Sequence, residues 1–256
     1  MNPEISIILP SIRSDKLSRV YESITNSTKR TFELIVIGPS PLPQELVGSP
    51  EIIYLSSFSA PIVASQAGAE LARGKIFLWS ADDAIFLPDA LDKNIDLLYS
   101  KGNSEKNVVV AKYFEGIDGS QKPLQPDKYF TINGSSWTSS PHVSDDWWIF
   151  NVAIMYRSYF EELGGWDCGY QSCPLSHTNL AIRAYLDGAS VSMSDYPLLD
   201  CDHSQPDHLP IETSMIYHDA PRYNSQFKAS NINTPIKISF DNWKNEPIIW
   251  DKRFSR

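Results

Sequence analysis

Cysteine is scarce in this chain of 256 residues: Cys168, Cys173 and Cys201 are the three it has. An odd number, all late in the chain, excludes a disulfide framework and fits a reducing compartment. Basic runs are missing as well. Lys and Arg total 22 against 31 Asp and Glu, for a net charge of −9 and a pI near 5.0. That balance excludes broad electrostatic attachment to nucleic acid or to an anionic membrane. No basic segment followed by a long apolar stretch opens the chain, and the run from Ile5 to Leu9 is only strand-length. The expectation is a cytoplasmic protein with no membrane span. Internal repeats and low-complexity segments are also lacking.

What is present describes a folded globular chain. Hydrophobic residues make up 42% and charged residues 21%, and the length suits one large α/β domain or a domain with a C-terminal appendage. The run ISIILP (Ile5 to Pro10) reads as a strand buried on both faces. Ser14 or Asp15 can cap a helix whose apolar positions Leu17, Val20, Tyr21 and Ile24 follow helical spacing. Strands follow at Phe32–Gly38 and Ile52–Leu55. An Ala-rich helix is expected from Ile62 to Arg73, stopped by Gly74. Lys75–Asp83 reads as a strand running out into two carboxylates, and Pro88 opens a helix over Asp89–Tyr99. Strands alternating with helices imply a doubly wound sheet, with ligands at the carboxyl ends of its strands.

Beyond residue 100 the pattern loosens. Val108–Phe114 and Trp147–Tyr156 read as strands, Tyr159–Leu163 as a short helix, and Leu175–Asp187 as a helix ended by Gly188. Residues 115–147 read as long loops over a site. From Asp200 onward the chain shows little periodicity and is expected to wrap irregularly around the domain.

Asp82 and Asp83 stand where a buried strand ends, and carboxylates in such a place are costly without a cation. Mg²⁺ or Mn²⁺ prefers carboxylate oxygens and usually bridges to phosphates. Side chains alternate along a strand, so one of the two is expected to face the ion directly. A solvated turn is the plain alternative.

The wider succession gives the pair a context. An I-S-I-I-L-P-S opening, an E-L-I-V-I strand, a helix ending in A-R-G, and K-I-F-L-W-S-A-D-D ahead of a Pro-headed helix together resemble family 2 glycosyltransferases of the GT-A fold. The resemblance is good over roughly residues 4–100. A second patch, R-S-Y-F-E-E-L-G-G-W-D (Arg157 to Asp167) followed by L-A-I-R-A-Y-L-D-G (Leu180 to Gly188), is similar to that family's acceptor side. The resemblance implies a single Rossmann-like mixed sheet flanked by helices. Residues 1–203 would form the GT-A domain, divided near residue 100 into a donor half and an acceptor half. Residues 204–256 would be an irregular extension packed on it.

Carried across, the resemblance puts Pro10, Ser11 and Arg13 beside the nucleotide. It has Asp82 facing the ribose or the metal shell, and Asp83 holding Mn²⁺ or Mg²⁺. Gly165, Trp166 and Asp167 would face sugar and acceptor. Helix termination for Gly164-Gly165, core packing for Trp166 and a solvated charge for Arg13 are the plain alternatives. His203 fits a late metal ligand, in competition with His208 and His218. Two departures stand out. An acidic residue that recognises the base is replaced by Gly38 and Pro39. The catalytic carboxylate ahead of the L-A-I-R helix is replaced by Ser176-His177-Thr178-Asn179. His177 falls where the base would stand; a neutral imidazole can take a proton at neutral pH, and a local hydrogen bond is the alternative. Asp146, in D-D-W-W, is the second candidate base, and Asp167 the third. A zinc site drawn from Cys168, Cys173, His177, Cys201 and His203 lacks C-x-x-C spacing.

The expected activity is therefore metal-dependent transfer of a sugar, with inversion, from a nucleotide-sugar donor (a UDP-sugar favoured) to a hydroxyl of a glycan or other acceptor. Two rivals remain. One is a non-catalytic protein that kept the fold after losing its base. The other is a nucleotidyltransferase, which would want a glycine-rich basic loop where P-S-I-R-S-D-K has no glycine.

Overall fold

The apolar runs form the centre of one sheet. In the computed structural model, which describes residues 2–116, 122–123, 149–202, 207–227 and 236–254, β1 (Ile5–Pro10) lies between β2 (Phe32–Gly38) and β4 (Ile76–Trp79), parallel to both. Ile5, Ile7 and Ile8 are fully buried, as a strand covered on both faces requires. β3 (Ile52–Ser56) extends the parallel half beyond β2. On the other side the sheet turns mixed. β8 (Ala153–Tyr156) runs antiparallel to β4 and to β6 (Asn107–Gly116), β9 (Ser190–Asp202) runs parallel to β6, and β5 (Ala84–Phe86) runs antiparallel to β9. The order is β3-β2-β1-β4-β8-β6-β9-β5, with β7 (Lys122–Pro123) paired to β6. Helices flank this sheet: α1 (Leu17–Ser27), α2 (Pro61–Ala69), α3 (Ala90–Ser100), α4 (Arg157–Glu162) and α5 (Cys173–Leu186). The expected single mixed α/β sheet is the observed one. No helix among the described residues is long and apolar enough to cross a membrane.

Several boundaries move, each for a local reason. The expected cap at Ser14 or Asp15 is instead a 3-10 turn over Ser14–Lys16, and no side chain caps α1. Helix α2 stops at Ala69 rather than reaching Arg73. The backbone N–H of Arg73 donates to the buried Glu33 carboxylate at 2.6 Å, and its guanidinium grips the same group at 2.8 and 2.7 Å. These bonds draw the A-R-G turn onto β2 and away from helical geometry. Gly74 is therefore no helix stop. A Cβ there would stand 2.6 Å from the backbone of Ile5 and Ser6, so the turn can press on β1 only as glycine. Asp89 takes a left-handed conformation (φ 54°) ahead of α3.

The largest correction is the tail. Residues read as irregular form a continuous helical rod: α6 (Leu209–Ser214), a π turn (Met215–Asp219) and α7 (Ala220–Phe227). Its buried residues Ser214, Asp219, Tyr223 and Phe227 are spaced five, four and four apart, so the ordinary helical period is broken once, at the π turn. Pro221 lacks an N–H and its ring would crowd the carbonyl four residues back, which the wider turn relieves. β9 was not anticipated either. Pro197 lies where its pairing with β6 shifts register, and this disguises the alternation.

Candidate functional site

The strand order reverses between β1 and β4, the switch point at which doubly wound sheets open a crevice. A cavity of about 200 Å³ lies there, at the carboxyl ends of β1, β2 and β4. Pro10, Ser11 and Arg13 line one side, and Asp82 and Asp83 another. Five of the residues named from the sequence thus meet in one cleft.

The two carboxylates do different things. Asp82 is buried, and one of its oxygens accepts hydrogen bonds from Ser11 Oγ at 2.9 Å, Ile12 N at 2.9 Å and Arg13 N at 3.0 Å. Its other oxygen pairs with the Arg13 guanidinium. Three donors and a cation account for its charge without any ion from outside. Asp83 is half-buried, lines the cleft, and accepts a bond at 2.9 Å from Asp202 N through its backbone carbonyl. That bond ties the end of β9 beside Asp83. His203 lies outside the described residues, as does Asp146.

Gly38 explains one departure. A Cβ on it would lie 1.8 Å from the carbonyl oxygen of Ser11, so β2 and the first loop touch backbone to backbone where a base-recognising acid was sought. The opposite wall carries Ser57, Ser59 and Pro61, and the C-terminal segment closes it with Trp250, Arg253 and Phe254. Trp250 N donates to Phe58 O at 2.8 Å, and the Phe58 and Phe254 rings meet edge-on at 5.5 Å. Sequence reasoning missed this segment; its one signal was the aromatic-basic pentapeptide W-D-K-R-F. Asp207 and His208 also stand here. His208 lines the cleft, and Asp207 pairs with both Arg13 and Arg253.

The acceptor-side residues gather elsewhere, behind the start of α5, and the structure gives them packing duties. Trp166 is fully buried in a cluster with Phe77, Trp79 and Phe160, at ring distances of 5.8, 5.2 and 4.7 Å, so it offers no face to a sugar. Gly165 has φ 70° and sits against the Gln66 side chain, whose Oε1 accepts from Trp166 N at 2.9 Å. Asp167 is buried and accepts from Arg222 Nη2 at 2.9 Å, Gln226 Nε2 at 3.0 Å and Gly169 N at 2.9 Å. Arg183, wholly enclosed, donates to the carbonyls of Leu163 and Gly165 at 2.5 Å each and to Asn179 Oδ1 at 2.8 Å. Burial lowers its pKa to about 10. This arginine holds the G-G-W turn in place.

His177 packs 5.3 Å from the Trp79 ring and is absent from the cleft lining. Burial drives its pKa down to about 3, which keeps the ring neutral but makes its protonated form costly. A general base must carry the proton it takes, so this position suits core packing better than base catalysis. Cys173, one turn earlier, does line the cleft; burial, then the charges of Asp219 and Asp83, push its thiol up to about 12. Among the described residues, no group of three or more His, Cys, Asp or Glu could hold a metal ion, and the drawn zinc site does not assemble there.

No protein-family model and no curated protein matches the sequence. Among solved structures the chain is similar to S. aureus TarS, a glycosyltransferase. Against TarS 1–349 the identity is 16%, the match covers 91% of this chain and 74% of the other, and the TM-score is 0.57. Against TarS 1–349 in complex with UDP-GlcNAc the identity is 16%, the coverage 89% and 72%, and the TM-score 0.59. The chain spans 43% of a longer TarS structure, at 14% identity. At these identities the likeness shows a shared fold.

Proposed function

We propose that the chain is a glycosyltransferase of the family 2, GT-A kind, taking a sugar from a nucleotide-sugar donor bound in the cleft between the Pro10–Arg13 loop and Asp82-Asp83. The observation that carries this reading is the pairing of those two segments at the switch point of the sheet, with Asp83 lining the cleft beside them. UDP-GlcNAc and UDP are the ligands named in the TarS complexes, which supports a UDP-sugar as donor.

Asp83 suits Mg²⁺ or Mn²⁺, which is commonly held by one or two carboxylates with phosphate oxygens and water completing the shell. Such an ion would neutralise the diphosphate leaving group as its charge grows. Asp82 would hold the loop that shapes the nucleotide pocket, and Arg13 would present a cation to the diphosphate. Buried His177 and the clamped Asp167 suit support of the acceptor wall rather than proton transfer. That leaves Asp146 as the base that takes the acceptor proton in a single inverting displacement.

A non-catalytic binding protein on the same fold is the second reading. It is favoured by the first turns of α5, where Ser176-His177-Thr178-Asn179 supplies no carboxylate. Calorimetry with UDP and UDP-GlcNAc, with and without Mn²⁺, tests the site, and donor hydrolysis separates the two readings. Mn²⁺-dependent binding with turnover is expected. Binding without turnover on any donor would leave the second reading, and no binding of any nucleotide diphosphate would overturn both.

A further inference from the structure

Asp207 stands between two arginines at the mouth of the cleft. Arg13, already paired with Asp82, turns its second terminal nitrogen to one oxygen of Asp207. Arg253 approaches the other oxygen at 3.4 Å and donates to the Asp207 backbone carbonyl at 2.7 Å. Arg13 and Arg253 both line the cavity that holds Asp83. A carboxylate bracketed by two guanidinium forks occupies the kind of place those forks offer to a phosphate.

The three partners are not held equally. Arg13 and Arg253 are 16% and 14% exposed, and Arg253 sits on a short helix tied to the cleft wall through Trp250 and Phe58. Asp207 is 36% exposed. Burial opposes its charge, but Arg13 and Arg253 outweigh this and hold its carboxyl below the ordinary range. A diphosphate entering beside Asp83 would bring further negative charge to the same two cations. The two anionic groups would compete for the same cations, and Asp207, the most exposed of the three partners, is the one that can turn out to solvent.

The geometry points to Arg253 as a second diphosphate-binding arginine beside Arg13, with Asp207 as the carboxylate that occupies the pair until a nucleotide diphosphate replaces it. This rests on the donor-site reading above. Arg253 is far from the Pro10–Arg13 loop in sequence, so the C-terminal segment would contribute directly to the donor site.

The test is calorimetric titration with UDP, uridine and inorganic pyrophosphate, each with Mn²⁺, on the full chain. Arg253→Gln should weaken UDP and pyrophosphate by about tenfold or more, the scale of a lost charged hydrogen bond, and change uridine by less than about twofold. Arg253→Lys should recover part of the loss. Asp207→Asn should tighten UDP by up to about fivefold, the scale of a removed exposed ion pair, and leave uridine alone. If Asp207 merely anchors the C-terminal segment, Asp207→Asn will leave UDP unchanged or weaken it, and the proposal falls. Equal loss of uridine and UDP in Arg253→Gln would also overturn it. If wild type binds UDP normally and both variants behave like it, the donor site stands and this inference alone is lost. If wild type binds no UDP or pyrophosphate, both are lost.

Discussion

Asp82 accepts from both the side chain of Arg13 and its backbone N–H, the latter at 3.0 Å, so one carboxylate sets the charge and the path of the first loop. Its neighbour Asp83 keeps a half-buried position on the cleft wall. Adjacent residues of one type thus carry separate duties, and substitutions should separate them.

Asp82→Asn leaves Arg13 with Asp207 as its one remaining charge partner and puts an amide where several donors converge. It should cost about 2–3 kcal/mol in stability, the scale for breaking a buried charged network. Asp83→Asn should cost less stability than Asp82→Asn while removing Mn²⁺-dependent nucleotide binding. Urea unfolding and calorimetry on both variants check this, and equal stability losses would contradict the division.

His177 makes a pH prediction. Burial lowers its pKa from 6.5 to about 3, so between those values the unfolded chain binds a proton that the folded chain does not. Its contribution to stability is fully present above pH 6.5 and is lost as the pH falls toward 3. Urea midpoints of wild type and His177→Gln should therefore converge as the solution is acidified from neutrality. Parallel curves would mean that the ring is not held neutral by the fold.

Arg183 is a buried fork on two carbonyls and an amide. Arg183→Lys keeps the charge but cannot reach all three acceptors, and should cost roughly 2–4 kcal/mol. Nucleotide affinity should follow only through this loss of folded protein. A variant of wild-type stability with impaired donor binding would place Arg183 in the site instead.

At Gly38 even a methyl group meets backbone. Gly38→Ala should destabilise by at least about 1–3 kcal/mol and displace the Ser11 loop, so nucleotide binding should weaken as well. Unchanged binding and an unchanged melting temperature would show that the loop yields freely.

Much of the donor half was legible because its signals are local. Continuous apolar runs at Ile5–Leu9 and Leu34–Ile37 mark strands covered on both faces, and helical spacing marks α1. The glycines misled for one shared reason. Gly74 read as a helix stop and Gly38 as a missing acid, yet both are required by a distant backbone, that of β1 in one case and Ser11 in the other. The rod from Leu209 to Phe227 was hidden because a π turn breaks its period once, and a periodic template fails at the break.

The sequence by itself determined the α/β class, the central strands and the carboxylate pair just beyond β4, because burial within one element is written in the spacing of neighbouring residues. Only the tertiary structure decided that Asp82 is the carboxylate gripped by the first loop. It alone packed Trp166, Asp167 and His177 behind the site and returned Asp207 and Arg253 to its mouth. Those outcomes depend on hydrogen bonds and packing between residues far apart in the chain, 194 positions from Arg13 to Asp207, and no local pattern encodes such a meeting.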